Sequence, residues 1–159
     1  MSYFDQESKE KFIPHILETS DGADRATLAF FVDAYEEVEA RSGDDEAKHE
    51  TEVVLRLHKS LAPIKIAILP LSKKEPLQKL SNEIQTVLRA KWMTQYDETG
   101  SIGKRYRRQD EIGTPYCVTI DFDSLEDKKV TVRDRDTMKQ ERIAIGELKE
   151  YLGEKLLNF

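Results

Sequence analysis

The sequence lacks several features that would point to a particular class of protein. Its one cysteine, Cys117, excludes an intramolecular disulfide and a zinc site built on cysteines. No apolar run approaches the ~18 residues of a membrane span, and the residues from Met1 to Gln6 do not have the composition of a signal peptide. These absences predict a cytoplasmic protein in reducing surroundings, with no membrane partner.

Side chains that carry catalysis or bind metals are also scarce. His15, His49 and His58 lie too far apart in the sequence for a helical metal pair, so we expect no metal site. Cys117 lies in a strand-like segment with no histidine nearby, which favours a buried, inert thiol over a nucleophile. Nucleotide-binding glycine loops and nucleophile elbows are absent.

The composition is that of a folded chain whose two halves differ in charge. Of 159 residues, 38% are hydrophobic and 35% are charged, which predicts one globular domain with or without an appendage. Residues 1–61 hold 15 acidic and 7 basic side chains, a balance of -8. Residues 62–159 hold 16 acidic and 18 basic side chains, a balance of +2. The overall charge of -6 therefore hides a mildly basic second half.

The first half predicts a strand and a helix followed by a linker. Phe12–Glu18 has strand character, and Ser20 and Asp21 are capping residues before a helix predicted from Ala23 to Val38. The apolar stripe of that helix needs a packing partner. The acid-rich segment from 39 to 51 is interpreted as a solvated connection, which gives domains at 1–50 and 51–159.

The second half predicts a mixed α/β sheet of about five strands with three helices. The order is strand-helix-strand-helix-strand-strand-strand-helix. Its predicted strands cover 64–69, 93–96, 116–122, 130–135 and 140–145, its helices start at 76, 102 and near 148, and 123–128 is predicted to be a hairpin turn.

A basic cluster in the second predicted helix is a candidate for binding nucleic acid. It consists of Lys104, Arg105, Tyr106, Arg107 and Arg108. Cations attract phosphates, and an exposed tyrosine stacks on nucleobases. The alternative is a solvated helix face on which Tyr106 is a buried anchor.

Two arginines of the fourth predicted strand form a second candidate. The strand period places Arg133 and Arg135 on one face, with Val130 and Val132 facing the core. Long cations on an exposed sheet surface are suited to reading unstacked bases. The alternative is cross-strand ion pairing, for example with Asp121 or Asp123.

Three segments of the sequence closely resemble the anticodon-binding domain of glycyl-tRNA synthetases. They are Gly100–Asp121, which includes the run YRRQDEIGTP, Leu55–Lys65 and Thr131–Gln140. Threonyl, prolyl and histidyl enzymes share the implied fold, whereas the YRRQDEIGTP run is of the glycyl type. The resemblance implies an anticodon stem-loop of tRNA(Gly) as partner. Asp121, with Asp123 second, would then accept from cytosine, Arg133 and Arg135 would donate, and Lys104, Arg105, Tyr106, Arg107 and Arg108 would hold the RNA backbone.

The segment from Ile16 to Arg25 resembles motif 3 of class II synthetases in its glycyl version. The general motif is G-x-G-x-x-R, and Ser20 stands at its first glycine. The resemblance implies that Glu18 binds the ammonium group of glycine and that Arg25 binds the γ-phosphate of ATP. The implied glycine site is Glu18, Thr19, Ser20, Asp21 and Gly22, and the implied ATP site is Gly22, Ala23, Asp24 and Arg25. An ordinary helix cap is the alternative for these residues taken by themselves.

The resemblance also implies that this chain is part of a larger enzyme. Motifs 1 and 2 of the class II catalytic domain do not occur in it, so we expect a carboxyl-terminal fragment of a glycine–tRNA ligase. The parent would use ATP as a substrate with Mg²⁺ and would form a homodimer, while the 159-residue chain alone would bind no cofactor and charge no tRNA. The alternative is a free-standing accessory RNA-binding subunit without catalytic activity.

Overall fold

The computed structural model describes residues 2–39 and 51–157, and within these ranges the chain forms nine strands and five helices. The strands are β1 (Tyr3–Phe4), β2 (Lys11–Phe12), β3 (Tyr35–Glu39), β4 (Thr51–Leu55), β5 (Ile66–Pro70), β6 (Thr94–Tyr96), β7 (Tyr116–Ile120), β8 (Lys129–Asp134) and β9 (Gln140–Ala144). The helices are α1 (Ala23–Ala34), α2 (Glu75–Arg89), α3 (Ile102–Glu111), α4 (Asp123–Asp127) and α5 (Leu148–Leu157). The predicted mixed sheet of about five strands is confirmed.

The five-stranded sheet has the order β6-β5-β7-β8-β9. Strands β6 and β7 both pair with β5 in parallel, whereas β8 and β9 run antiparallel to their neighbours. Parallel neighbours need long crossovers, and α2 and α3 supply them. In the register, Val118 lies opposite Ile68 on β5 and opposite Val132 on β8.

The two faces of this sheet pack against different helices. One face holds large aliphatic side chains such as Ile66, Ile68 and Val118, which pack against α2 and α5 in the main core. The other face carries Ala67, Leu69 and Cys117, on which α3 lies. Burial raises the pKa of the Cys117 thiol to about 12, as expected for an inert core cysteine.

Three predictions for single elements are wrong. The strand predicted over Phe12–Glu18 is limited to Lys11–Phe12, which pair with Tyr3–Phe4. The helix predicted to reach Val38 ends at Ala34, because the chain from Tyr35 onwards pairs antiparallel with β4. The hairpin turn predicted over 123–128 contains the short helix α4, which ends at Lys128 with a left-handed φ of 55°.

The predicted acidic linker lies mostly outside the described residues, which stop at 39 and resume at 51. Its ends meet, because Glu39 and Thr51 are the last partners of the β3–β4 register.

Helix α1 leaves its apolar side chains in solvent. Leu28, Phe30, Phe31 and Val32 are between 45% and 69% exposed, and Ala34 is the buried residue of the helix. None of the helices in the described part of the chain is long and apolar enough to cross a membrane.

Candidate nucleic-acid interface

The sequence predicted that Arg133 lies on an exposed strand face, but the structure buries it. It is 2% exposed, and its guanidinium forms two hydrogen bonds, of 2.9 and 2.8 Å, with both carboxylate oxygens of Asp110 on α3. The guanidinium also lies 4.7 Å from the ring centroid of Tyr106. Burial opposes its charge, but the hydrogen bonds that Arg133 donates to Asp110 raise the pKa of Arg133. The charged strand face is therefore covered by α3, and the predicted ion-pair partners Asp121 and Asp123 were the wrong ones.

Arg135 is buried in the same way, at 2% exposure. It donates to the main-chain carbonyls of Leu55, Leu57 and Gly113 at 3.1, 3.0 and 2.8 Å. It also pairs with Asp136. Neither Arg133 nor Arg135 is positioned to read a base directly.

The predicted backbone-binding residues of α3 are mostly engaged within the protein. Arg105 is 3% exposed and donates to the carbonyl of Pro70 at 2.5 Å. Arg107 pairs with the buried Glu52 on β4 at 2.8 Å, and Arg108 pairs with Asp97 at 2.5 Å. These arginines fix α3 to the ends of β5 and β6 and to β4. Their donors already have acceptors within the protein, so they are poorly placed to bind an RNA backbone.

The remaining two residues of the basic cluster differ from each other. The hydroxyl of Tyr106 lies 2.6 Å from the hydroxyl of Thr119 on β7, so its ring is a packing anchor, as the alternative interpretation held. Burial raises the pKa of Tyr106. Lys104 is exposed, and its side chain makes no hydrogen bond or ion pair among the described residues. The other cations of this cluster are engaged.

A different exposed surface lies at the carboxyl ends of the three parallel strands. We call it the carboxyl edge, and it comprises Leu71, Lys73 and Lys74 after β5, Glu98 and Thr99 after β6, and Asp121 and Phe122 after β7. In open α/β sheets, ligands bind where helices leave such strand ends. Helices α2 and α3 both begin at this edge.

The carboxyl edge combines cations with an exposed aromatic ring. Phe122 is 43% exposed, and the ammonium of Lys74 lies 4.9 Å from its ring centroid. The N-terminus of α2 has no side-chain cap, so its amides face this edge without a side-chain acceptor. Amides at a helix N-terminus and ammonium groups attract phosphate, and an exposed ring stacks on a base.

Two carboxylates at the edge could accept from a base. Glu98 accepts from Gln78 at 2.8 Å and from Tyr96 at 2.9 Å, and these bonds lower the pKa of Glu98. Both bonds reach Oε2, which leaves Oε1 without a bond among the described residues.

Asp121 stands at the same edge, beside a guanidinium that the sequence did not predict. It pairs with Arg142 of β9 at 2.6 Å and accepts the amide of Ser124 at 2.9 Å. Burial opposes its charge, but bonds from Ser124 and Arg142 lower the pKa of Asp121. Asp121 and Arg142 are partly exposed, at 23% and 34%, and place a carboxylate and a guanidinium side by side, although Arg142 also pairs with Asp127.

The implied glycine and ATP residues lie in an exposed segment at the start of α1. Ser20, Asp21, Gly22, Ala23, Asp24 and Arg25 line one shallow concavity, and Glu18 and Thr19 precede it in solvent. The predicted caps Ser20 and Asp21 are wrong, because Gly22 is the N-cap and α1 has no side-chain cap hydrogen bond. Asp21 instead accepts the amide of Gly22 at 2.7 Å. Within residues 2–39 and 51–157, no cluster of His, Cys, Asp or Glu could hold a metal ion.

Comparison with known proteins agrees with this geometry. The family model described as "Anticodon binding domain" matches residues 65–155, which begin next to β5 and end within α5. The chain belongs to the anticodon-binding domain family.

The relatives of this anticodon-binding domain are glycine–tRNA ligases. That of Clostridium acetobutylicum is 53% identical over 98% of this chain, and that of Ruminiclostridium cellulolyticum is 56% identical over 98%. The chain spans about a third of these relatives, 32% of each. The resemblance to glycyl-tRNA synthetases is thereby confirmed.

A solved structure shares the fold at a greater distance. It is a prolyl-tRNA synthetase from Cryptosporidium parvum complexed with halofuginone and AMPPNP, with a TM-score of 0.60 and 26% sequence identity. The match covers 64% of this chain and 22% of that chain.

Sequence reasoning missed Lys73, Lys74, Glu98 and Phe122. Each of them lies shortly after a parallel strand, and that position was the available signal. Phe122 continues the alternation of Tyr116, Val118 and Ile120 in the sequence, and this pattern by itself predicts a ring on the core side of the strand.

Proposed function

We propose that the chain is the tRNA anticodon-binding part of a glycine–tRNA ligase. The observation that carries the proposal is the identity of 53–56% to glycine–tRNA ligases over nearly the whole chain, N-terminal segment included. The partner is then the anticodon stem-loop of tRNA(Gly). The carboxyl edge is the surface best suited to it, because its cations and exposed ring are free to contact RNA.

The roles of the charged residues in this proposal follow from their burial. Lys73, Lys74 and Lys104 hold phosphates, because they are exposed. Asp121 and Glu98 accept from the amino groups of cytosines, and Arg142 donates beside Asp121. Arg133 and Arg135 are buried and stabilise the fold that carries the interface. Asp123, on the exposed first turn of α4, is a second acceptor.

The N-terminal segment extends the proposal to the whole enzyme. Glu18–Gly22 bind glycine, and Gly22–Arg25 bind ATP, which a longer homodimeric protein uses as a substrate with Mg²⁺ in the cytoplasm. A carboxylate is suited to an ammonium group, and a guanidinium at an uncapped helix N-terminus is suited to a phosphate. The exposed apolar side chains of α1 would pack on the remainder of that protein. By this proposal the 159-residue chain alone binds no ATP and charges no tRNA.

A free-standing accessory subunit is the alternative function. An accessory RNA-binding domain has no use for a glycine and ATP segment, whereas this chain keeps Glu18, Ser20 and Arg25. The open reading frame around Met1 decides between the two, because only the ligase requires an upstream catalytic sheet.

The binding test uses the 159-residue chain and RNA hairpins. One hairpin carries a glycine anticodon, and a second carries a replaced cytosine in that anticodon. We expect Phe122→Ala to weaken binding of the first hairpin by about 1–3 kcal/mol, as for loss of a stacked base. Lys74→Ala should weaken both hairpins alike and reduce the salt slope by about one unit.

Two further variants make the test specific. Arg142→Met should reduce discrimination between the hairpins, because it removes the donor beside Asp121. Lys149→Ala is the matched control, an exposed lysine on α5 outside the carboxyl edge, and should leave both affinities unchanged. If the chain binds the hairpins and Phe122→Ala and Lys74→Ala have no effect, the carboxyl edge is the wrong surface.

A further inference from the structure

We propose that Arg135 is a positioning residue that fixes helix α1 relative to the five-stranded sheet. The importance of that position rests on the proposed function, because α1 begins with the segment assigned to glycine and ATP. The physical claim itself rests on contacts between the β3–β4 hairpin and the sheet.

The guanidinium of Arg135 joins two distant parts of the chain. Two of its three carbonyl acceptors, Leu55 and Leu57, lie at and just after the end of β4, and the third is Gly113, before β7. Its own amide donates to the carbonyl of Pro115 at 3.0 Å, which fixes its main chain to the sheet. A planar guanidinium with several donors can satisfy carbonyls in several directions, which lysine cannot do.

An ion-pair chain continues from Arg135 to β3. Asp136 accepts from Arg135 at 2.8 and 2.9 Å and from Arg56 at 3.1 Å. Arg56 also pairs with Glu36 on β3. Both strands of the hairpin are therefore connected to the end of β8 by charged groups.

Two further contacts hold β4 against the sheet and α3. Glu52 on β4 is 7% exposed and pairs with Arg107 of α3 at 2.8 Å. Gly113 has a left-handed φ of 80°, and a Cβ at this position would lie 2.9 Å from the carbonyl oxygen of Leu55. The approach of β4 is thus close enough to require glycine at 113.

The position of helix α1 depends on that of the β3–β4 hairpin, because no loop separates α1 from β3. It ends at Ala34, and β3 begins at Tyr35. The amide of Arg56 donates to the carbonyl of Ala34 at 2.6 Å, and Ala34, Leu57 and Ala62 form a small buried cluster. A contact that fixes Leu55 to Leu57 therefore also fixes the C-terminal end of α1.

The test measures the position of α1 in the 159-residue chain. Nitroxide labels are placed at Val32→Cys on α1 and Asn82→Cys on α2, both exposed, while Cys117 is 1% exposed and stays unlabelled. We expect one narrow distance distribution for the chain with Arg135 intact. Arg135→Met should replace it with a broad distribution. It should also speed hydrogen exchange of the Arg56 amide by about tenfold or more, as for loss of charge-assisted bonds.

Two other variants separate positioning from general stability. Arg56→Met removes only the half-exposed part of the ion-pair chain and should also broaden the distribution, with the thermal unfolding of the sheet unchanged. Arg142→Met is the matched control, since Arg142 also pairs with two carboxylates, Asp121 and Asp127, but both pairs lie within the five-stranded unit, which comprises β5–β9 with helices α2–α5. It should leave the distance distribution narrow.

The outcomes show whether Arg135 fixes the position of α1 or only contributes to the stability of the fold. If Arg135→Met does not fold, as judged by circular dichroism, the result for Arg56→Met decides the question. A narrow distribution in folded Arg135→Met overturns the proposal, and so does a narrow distribution in Arg56→Met where Arg135→Met does not fold. A broad distribution with Arg135 intact also overturns it. Failure of the chain to bind the RNA hairpins would overturn the proposed function but leave the distance result unaffected.

Discussion

The N-terminal segment and the five-stranded unit treat hydrophobic and charged side chains in opposite ways. In residues 2–34, apolar side chains lie in solvent, with Leu17 at 99% exposure and Val32 at 69%. In the five-stranded unit, residues 66–157, Arg105, Asp110, Arg133 and Arg135 are buried, each at 4% exposure or less. Exposed apolar side chains thus cluster in the N-terminal segment, whereas these buried charges lie in the five-stranded unit.

The two regions also differ in whether these side chains have partners among the described residues. Every buried arginine of the five-stranded unit has acceptors within it, so the cost of removing its charge from water is offset locally. The apolar side chains of α1 have no such partner among the described residues, and contiguous exposed apolar surface marks an interaction site. The buried charge of the five-stranded unit therefore needs no further partner, and the exposed apolar side chains of α1 support the proposal that α1 packs on the remainder of a longer protein.

The strongest test of this comparison breaks the buried ion pair. Arg133→Ala leaves the carboxylate of Asp110 buried without its guanidinium, and we expect a loss of about 3–5 kcal/mol in the free energy of unfolding. Urea denaturation at neutral pH measures it. The control Arg142→Ala breaks a half-exposed pair and should cost no more than about 1 kcal/mol. Equal costs for the two variants would show that burial of the pair is unimportant.

Gly113→Ala tests the contact that holds β4, and through β4 the C-terminal end of α1, against the five-stranded sheet. The left-handed φ of 80° and the approach to the Leu55 carbonyl should together cost about 1–3 kcal/mol of unfolding free energy. Gly103→Ala is the control, because nothing lies within 4 Å of a Cβ there and the residue is in α3. It should be neutral or stabilising by up to about 1 kcal/mol. A neutral Gly113→Ala would mean that β4 is not held against the sheet.

Acid should weaken the five-stranded unit through its ion-paired carboxylates. Burial opposes the charge of Asp97 and Asp136, but hydrogen bonds from Arg108 and from Arg135 lower their pKa values below the usual 3.8. A lowered folded pKa adds stability above the unfolded value, and that stability is lost as the pH falls through the folded value.

The unfolding free energy should therefore fall below about pH 4. Urea titrations between neutral pH and pH 2 measure it. The decline should be shallower in Arg108→Met, which removes the partner of Asp97. An identical decline in that variant would contradict the assignment.

The smallest effect is expected on α1. Leu28 is 63% exposed, so Leu28→Ala should change the unfolding free energy by no more than about 0.5 kcal/mol. Leu88→Ala is the matched control on α2, where the side chain is 1% exposed, and should cost about 2–5 kcal/mol. A large cost for Leu28→Ala would show that α1 packs within this chain.

Periodicity predicted the elements of the five-stranded unit because each has its own apolar face. Leu77, Ile84 and Leu88 identify α2, and the alternation from Tyr116 to Ile120 identifies β7. Periodicity predicted the wrong element at Tyr35. That residue is compatible with a helix or a strand, and its pairing with Leu55 makes it part of a strand. Local pattern cannot report a partner that lies 20 residues away.

The candidate site was predicted only in part, for a related reason. Strand alternation correctly placed Arg133 opposite the face of Val130 and Val132, but it does not say what covers that face. Asp121 was predicted because strand alternation places it on the same side of the neighbouring strand as Arg133 and Arg135, and its role as an acceptor stays a prediction. Phe122 was missed because strand alternation does not mark where the strand ends.

The sequence by itself determined the family, the five strands with their helices, and the side chains that face the main core. It could do so because these depend on motif and on local periodicity, which residues close in the chain encode. The tertiary structure alone decided which arginines are buried, that Arg133 pairs with Asp110 and Arg135 with three carbonyls, and that Lys74 and Phe122 stand together in solvent. Those outcomes depend on packing between elements distant in sequence, because burial and charge pairing are properties of the surroundings of a side chain rather than of its type.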